Sequence, residues 1–250
     1  MKVMLGRETR PLAESRSTED VVGWIRGHSA EEFLDHVAIQ PTKRTTFDVM
    51  AREESAIAPS DAHRQFVRFY NEMTRRISPK NLSSYAAMCH TAILISGMFP
   101  EGNGAIAENA YRIMRLAPIR AKPDYHTISS LTSYLSAESV RRLLREEKLI
   151  VRSVDEMREY CAGRSYDDLA SPSLERTIDY IAARRVMIEY GLWMRPDTRI
   201  VYGSWKGKME RALMLEREHV RVRWFSMMLS VTASLADSII PRLDRAYGFG

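Results

Sequence analysis

Apolar side chains recur along this chain at three- and four-residue spacing, and strict alternation of the kind a half-buried strand needs is almost absent. From Pro59-Ser60-Asp61 onward, Phe66, Phe69, Tyr70 and Met73 place a wide aromatic stripe on one helical face, which predicts a core helix. A second helix is expected to open at Ser78-Pro79, with serine as the N-cap and proline in the first helical position; Leu82, Tyr85, Met88, Ala92 and Ile95 keep its period as far as Gly97. Ile106, Ala110, Ile113 and Met114 carry a third, halted by Pro118.

Further along, Ile128, Leu131, Tyr134 and Leu135 form one helical set, and Ser136 to Ser139 read as the cap of a separate helix through Val140, Leu143 and Leu144. Ser153 restarts helix toward Tyr160. The segments 162–165 and 171–173 bracket an expected loop, and Leu174, Ile178, Ile181 and Ile188 then line a long helix that ends near Gly191. Residues 198–202 are the one plausible strand. A last long helix runs from about Met209 to Ile240, with Leu213, Val220, Trp224, Met227, Val231 and Leu235 on its stripe. At the other end, Ser17-Thr18-Glu19-Asp20 looks like a helix start ahead of Val21, Val22, Trp24 and Ile25, and residues 30–39 form a short helix stopped before Pro41. The chain is therefore read as all-α: an N-terminal arm over 1–29, a helical core over 30–240 with a soft boundary at 117–123, and a C-terminal tail over 241–250.

Composition adds a bias toward polyanions. In 250 residues, 45% hydrophobic and 28% charged content matches an ordinary folded protein, so wholesale disorder is excluded. The net charge is +5, and 30 of the 37 basic residues are arginine. Arginine's planar donor fork suits phosphate and stacks on bases, although a GC-rich genome produces the same bias. Two cysteines, Cys89 and Cys161, cannot make a disulfide framework, and no signal peptide or membrane span is visible.

Catalytic motifs are sparse. Glu216-Arg-Glu-His219 has the spacing of a di-metal helix ligand pair but lacks the partner carboxylates and the second pair such a site needs, so it reads as surface helix. His36, His63 and His90 have no ligand partners at metal spacing. No cofactor is implied. The turn Gly97-Met-Phe99-Pro-Glu-Gly102-Asn103-Gly104 resembles the phosphate loop of Fic-type nucleotidyl transferases. The position of their catalytic histidine is Gly97, however, and those of their two arginines are Ala105 and Glu108, so the acid–base and charge-handling groups are missing.

A broader resemblance covers residues 30 to 180. Ile39-Gln40-Pro41, Ala58-Pro59-Ser60-Asp61, and Phe66, Phe69 and Tyr70 come first. Ser96 to Glu101 with Asn103-Gly104 follows, then Ala117-Pro118-Ile119 and Ala121-Lys122-Pro123, and finally Ser173-Leu174-Glu175-Arg176 with Asp179-Tyr180. In this order they are similar to the landmarks of the coat proteins of flexuous filamentous plant viruses, the potyvirus type in particular. The resemblance implies a viral coat or nucleocapsid protein, without enzymatic activity, found in the virion and the host cytoplasm. Such a subunit polymerises helically through its terminal arms and encapsidates single-stranded RNA.

That family lines its RNA pocket with a serine, an arginine and an aspartate, which fall here on Phe99, His126 and Asp179; only the acid is retained. Phe99 is expected to stack on a base and His126 to hydrogen-bond a phosphate. Arg120, Lys122, Arg176, Arg184 and Arg185 are expected to flank the groove. A second basic surface is expected at Arg195, Arg199, Lys206, Lys208, Arg211, Arg217, Arg221 and Arg223, with Trp193, Trp205 and Trp224 beside it. The competing readings are a degenerate Fic-like protein that binds a nucleotide or a partner, and a helical viral matrix protein.

Overall fold

A computed structural model describes residues 12–38, 59–99, 102–117, 124–147, 174–189 and 198–249. Every regular element among them is helical, and no strand occurs among the described residues. After a single 3-10 turn at Leu12–Glu14 come α1 (Thr18–Gly27), α2 (Ala30–Val37), α3 (Pro59–Arg76), α4 (Leu82–Ser96) and α5 (Asn103–Met114). They are followed by α6 (Tyr125–Glu146), α7 (Leu174–Glu189), α8 (Thr198–Ser234) and α9 (Ala236–Ala246).

Helix α4 is the axle. Ala86 and Ala87 are buried in its first half, and in its second half Cys89, Ala92, Ile93, Leu94 and Ile95 are buried with the rest of residues 89–96. Small side chains let α3, α5, α8 and α9 all approach it. On one flank α1 and α2 pack on α3, and α2 also reaches α5; on the other, α6, α7 and α8 pack on one another. Helix α9 rejoins the flanks by contacting both α4 and α6. Among the described residues no helix is long and apolar enough to cross a membrane.

Both N-terminal helices begin with reciprocal capping boxes. The Ser17 hydroxyl accepts from the Asp20 amide at 3.1 Å while the Ser17 amide donates to the Asp20 carboxylate at 3.2 Å, and Ser29 with Glu32 repeats the pattern. Residues 12–29, expected as an arm, are instead part of the core: Leu12, Val21, Val22 and Ile25 are buried, and α1 is tied to α3. The ties are Arg26 donating to the Ile77 carbonyl at 2.5 Å and Tyr70 donating to the Ile25 carbonyl at 3.3 Å. The apolar anchors of this segment find the core of their own chain within reach, which outweighs the polar residues around them.

Four other expectations are corrected. Residues 198–202 are the start of α8, which runs for 37 residues, and not a strand; helical hydrogen bonding continuous with the rest of α8 overrides the β-branched Ile200 and Val201. The helix expected at Ser78-Pro79 starts at Leu82, because the Asn81 side chain accepts from the Ser78 amide at 2.7 Å and donates to the Arg76 carbonyl at 3.0 Å, closing a turn first. Ser136 and Ser139 cap nothing: α6 passes through them unbroken, with the Ser139 hydroxyl donating to the Leu135 carbonyl at 2.6 Å. Finally, the last long helix breaks at Leu235, and residues 241–249 are no tail. They complete α9 and bury Tyr247 at 1% exposure.

Candidate nucleic-acid interface

The landmark turn between α4 and α5 is built by two glycines and one asparagine. Gly97 ends α4 at φ 57° and Gly102 precedes α5 at φ 80°, both left-handed conformations that favour glycine. Asn103, fully buried, folds back on Phe99: its side-chain carbonyl accepts from the Phe99 amide at 3.2 Å and its amide donates to the Phe99 carbonyl at 2.8 Å. The Phe99 ring lies half-buried against the core. Asn103 is thus committed inside the turn. Glu108, at a position where a Fic-type loop carries arginine, points inward to Arg112 at 2.6 Å.

Among the described residues, the others expected to contact RNA do not form one cluster. His126 is exposed in the first turn of α6, where the Asp124 carboxylate accepts from its amide at 3.2 Å as the N-cap. The far end of α6 carries Glu147, which Arg185 engages through two bonds at 2.8 and 3.0 Å. Twenty-one residues of helix separate His126 from Glu147, roughly 30 Å at 1.5 Å per residue. Asp179 and Arg184 share α7 with Arg185. Arg176 falls on α7 with its side chain outside the described residues, as do Arg120 and Lys122 entirely.

What surrounds Arg185 is an ion-pair clasp. Arg185 also meets Glu216 at 3.0 Å, Arg223 meets Glu147 and Glu146, Arg217 meets Asp179 at 2.7 Å, and Arg221 reaches Glu218 at 3.9 Å. Four arginines therefore face five carboxylates, and the clasp knits α6, α7 and α8 without leaving net positive charge. Much of the expected second basic surface is absorbed by it, and Trp224 is buried at 3% exposure. Lys208 and Arg211 stay exposed. Arg195 and Trp193, and the side chains of Arg199, Trp205 and Lys206, lie outside the described residues.

A polar hub that sequence reasoning missed lies where α5 meets α9. Arg112, 2% exposed, holds Glu108 and donates to the Tyr247 carbonyl at 2.6 Å, with its guanidinium 5.4 Å from the Tyr247 ring centre and 4.9 Å from that of Phe249. His90 shares a hydrogen bond with the Tyr247 hydroxyl, and burial pushes its pKa down to about 3, so it stays neutral. Tyr111 donates to Asp244 at 2.8 Å, and Arg115 joins Asp244 at 3.0 Å and the Ser83 hydroxyl. The partners are up to 157 residues apart, so no local pattern announces them. Among the described residues no cluster of three His, Cys, Asp or Glu could hold a metal ion.

An open groove of about 430 Å³ lies between α3, α4 and α8. Its lining mixes Arg68, Arg76, Phe69, Tyr85 and Met88 with Phe225 and Leu229. The stripe Phe66-Phe69-Tyr70-Met73 was legible as core; Phe69 stands at its edge, only half-buried, where the groove opens toward α8. Comparison of the chain with family models, with curated proteins and with solved structures gave no match.

Proposed function

We propose that this chain is a viral coat or nucleocapsid subunit that polymerises helically and encapsidates single-stranded RNA. The observation that carries the reading is the order of landmarks from Ile39 to Asp179, set on a subunit whose described elements are all helical. Gly97, Gly102 and the Asn103–Phe99 bracket serve there to bend the chain between two packed helices, as such a subunit requires. A sheath of this kind makes and breaks no covalent bond; it needs a stiff core, cations that follow a phosphate backbone and surfaces that join copies.

The Fic-like alternative is disfavoured by the same turn. Gly97 supplies backbone freedom instead of a base, and Glu108 is spent on an internal ion pair. The test is negative-stain microscopy together with the ratio of absorbance at 260 and 280 nm, on protein purified without nuclease. Long flexible filaments with a nucleic-acid absorbance ratio are the expected result. A monomer free of polynucleotide, whose melting temperature rises with added nucleotide, would overturn it. With Phe99 and Asp179 as RNA contacts, Phe99→Ala and Asp179→Ala leave the subunit folded and change how much RNA is packaged.

A further inference from the structure

The groove between α3, α4 and α8 lies outside every residue that the landmark order assigns to RNA. Tyr85 and Met88, in its wall, sit 11 and 8 residues before Ser96, where α4 ends ahead of Phe99, about 16 and 12 Å along the helix axis. Its chemistry is uneven in an informative way. The floor is apolar: Met73, Phe225 and Leu229 are buried. Over it stand two half-buried aromatic rings, Phe69 and Tyr85, with Phe69 braced edge-on by Phe66 at 6.0 Å between centroids.

The rim is cationic. On α3, Arg64 is paired with Asp61, and Arg76 with Glu72 at 2.9 Å. Arg68, which lines the groove and is exposed, has no ion-pair partner among the described residues. Arg68 and Arg76 are eight residues apart on the same helix, so about 12 Å of groove edge carries two guanidinium groups with a single carboxylate, Glu72, between them. Gln65 and Ser230 add neutral hydrogen-bonding groups. A purely apolar partner helix would leave Arg68 facing hydrocarbon. An acidic peptide would find cations but no use for the rings. A strand offering flat bases and phosphates together satisfies both halves of the lining. The volume also falls within the roughly 300–1,000 Å³ that small-molecule-sized groups occupy.

We propose that this groove seats the encapsidated RNA strand, with a base on the Phe69 and Tyr85 rings and a phosphate on Arg68. This rests on the coat-protein reading and adds a contact that the landmark order does not supply. The test uses the full chain and fluorescence anisotropy of a labelled oligouridylate across a salt series, with thermal unfolding of each variant to confirm folding. Arg68→Glu is expected to weaken binding at least tenfold, and Arg68→Ala to lower the salt slope by about one phosphate contact. Tyr85→Leu, which keeps an apolar wall but removes the ring, is expected to weaken binding about tenfold. Arg75→Glu, on the same helix but outside the groove, makes the same charge change as Arg68→Glu and is expected to stay within about threefold of the unaltered chain.

Equal losses in Arg68→Glu and Arg75→Glu would show general charge attraction and overturn the proposal. So would groove variants that bind RNA normally but no longer form filaments, because the groove would then hold a neighbouring copy. Either result leaves the coat-protein reading standing. An unaltered chain that binds no oligonucleotide and carries no RNA would overturn both.

Discussion

Replacing Arg112 with methionine removes a buried guanidinium while keeping most of the side-chain volume. Three things are lost: the 2.6 Å pair with Glu108, the 2.6 Å bond to the Tyr247 carbonyl, and the charge lying over the Tyr247 and Phe249 rings. Glu108 is then a carboxylate at 7% exposure with no counter-charge. Breaking a buried pair from one side costs about 3–5 kcal/mol, most of it the stranded charge. For a chain of this size that is a fall in melting temperature of roughly 6–20 °C. Burial already holds the Glu108 carboxyl above its ordinary range, with Arg112 pulling it back down; without Arg112 it rises further. A carboxyl raised in the folded state destabilises fully above its folded pKa, and the penalty vanishes as pH falls to the unfolded value near 4.3. The deficit of Arg112→Met is therefore largest at pH 7 and shrinks toward pH 5 and below. Adding Glu108→Gln removes the charge itself and should recover about half of the loss or more. Urea titration followed by circular dichroism at pH 7 and pH 5 reads all of this. A deficit under about 1 kcal/mol, or one that does not change with pH and is not relieved by Glu108→Gln, would refute the reasoning.

Leu116 ends α5 in a Schellman motif at φ 55°, with the Ala117 amide donating to the Arg112 carbonyl and the Leu116 amide to that of Ile113. Gly248 fills the same place after α9, so Leu116→Gly, at an exposed site, is expected to stabilise by about 0.5–1 kcal/mol, read as a small rise in melting temperature. Asn103→Ala strands the Phe99 amide and carbonyl and should cost about 1–3 kcal/mol in chemical denaturation; a neutral result would mean that the turn holds without the asparagine bracket. Cys89 is wholly buried and burial pushes its thiol pKa far up, so it should resist a thiol reagent in the folded protein and react fully in denaturant.

The helices that could be read from sequence are those with one buried face. Helix α3 and the C-terminal half of α8 bury Phe66, Tyr70 and Met73, and Val220, Trp224 and Val231, at the positions their periods predict. The capping serines Ser17 and Ser29 mark starts because the cap is local. The second half of helix α4, residues 89–96, is buried all round, so its period understates how many neighbours it has. The break at Leu235 has no glycine to announce it, and the five-residue window at 198–202 is too short for alternation to be told from the edge of a long helix. At the candidate interface the difficulty is different. Whether an arginine is free depends on carboxylates far away in sequence, as Arg185 depends on Glu147. The sequence shows thirty arginines and cannot say that Arg185 is neutralised while Arg68 is not.

The all-round burial of residues 89–96 in α4 bears on how the protein is made. Its covers include α8 and α9, and the end of α9 leaves the ribosome 150 residues after Ser96. At about 5–20 residues per second, that is roughly 8–30 s during which the most apolar of the described helices lacks its final partners. Synthesis from one end therefore imposes a waiting period, and mutations that loosen α9 should lengthen it, showing up as aggregation during expression before any change appears in the folded protein.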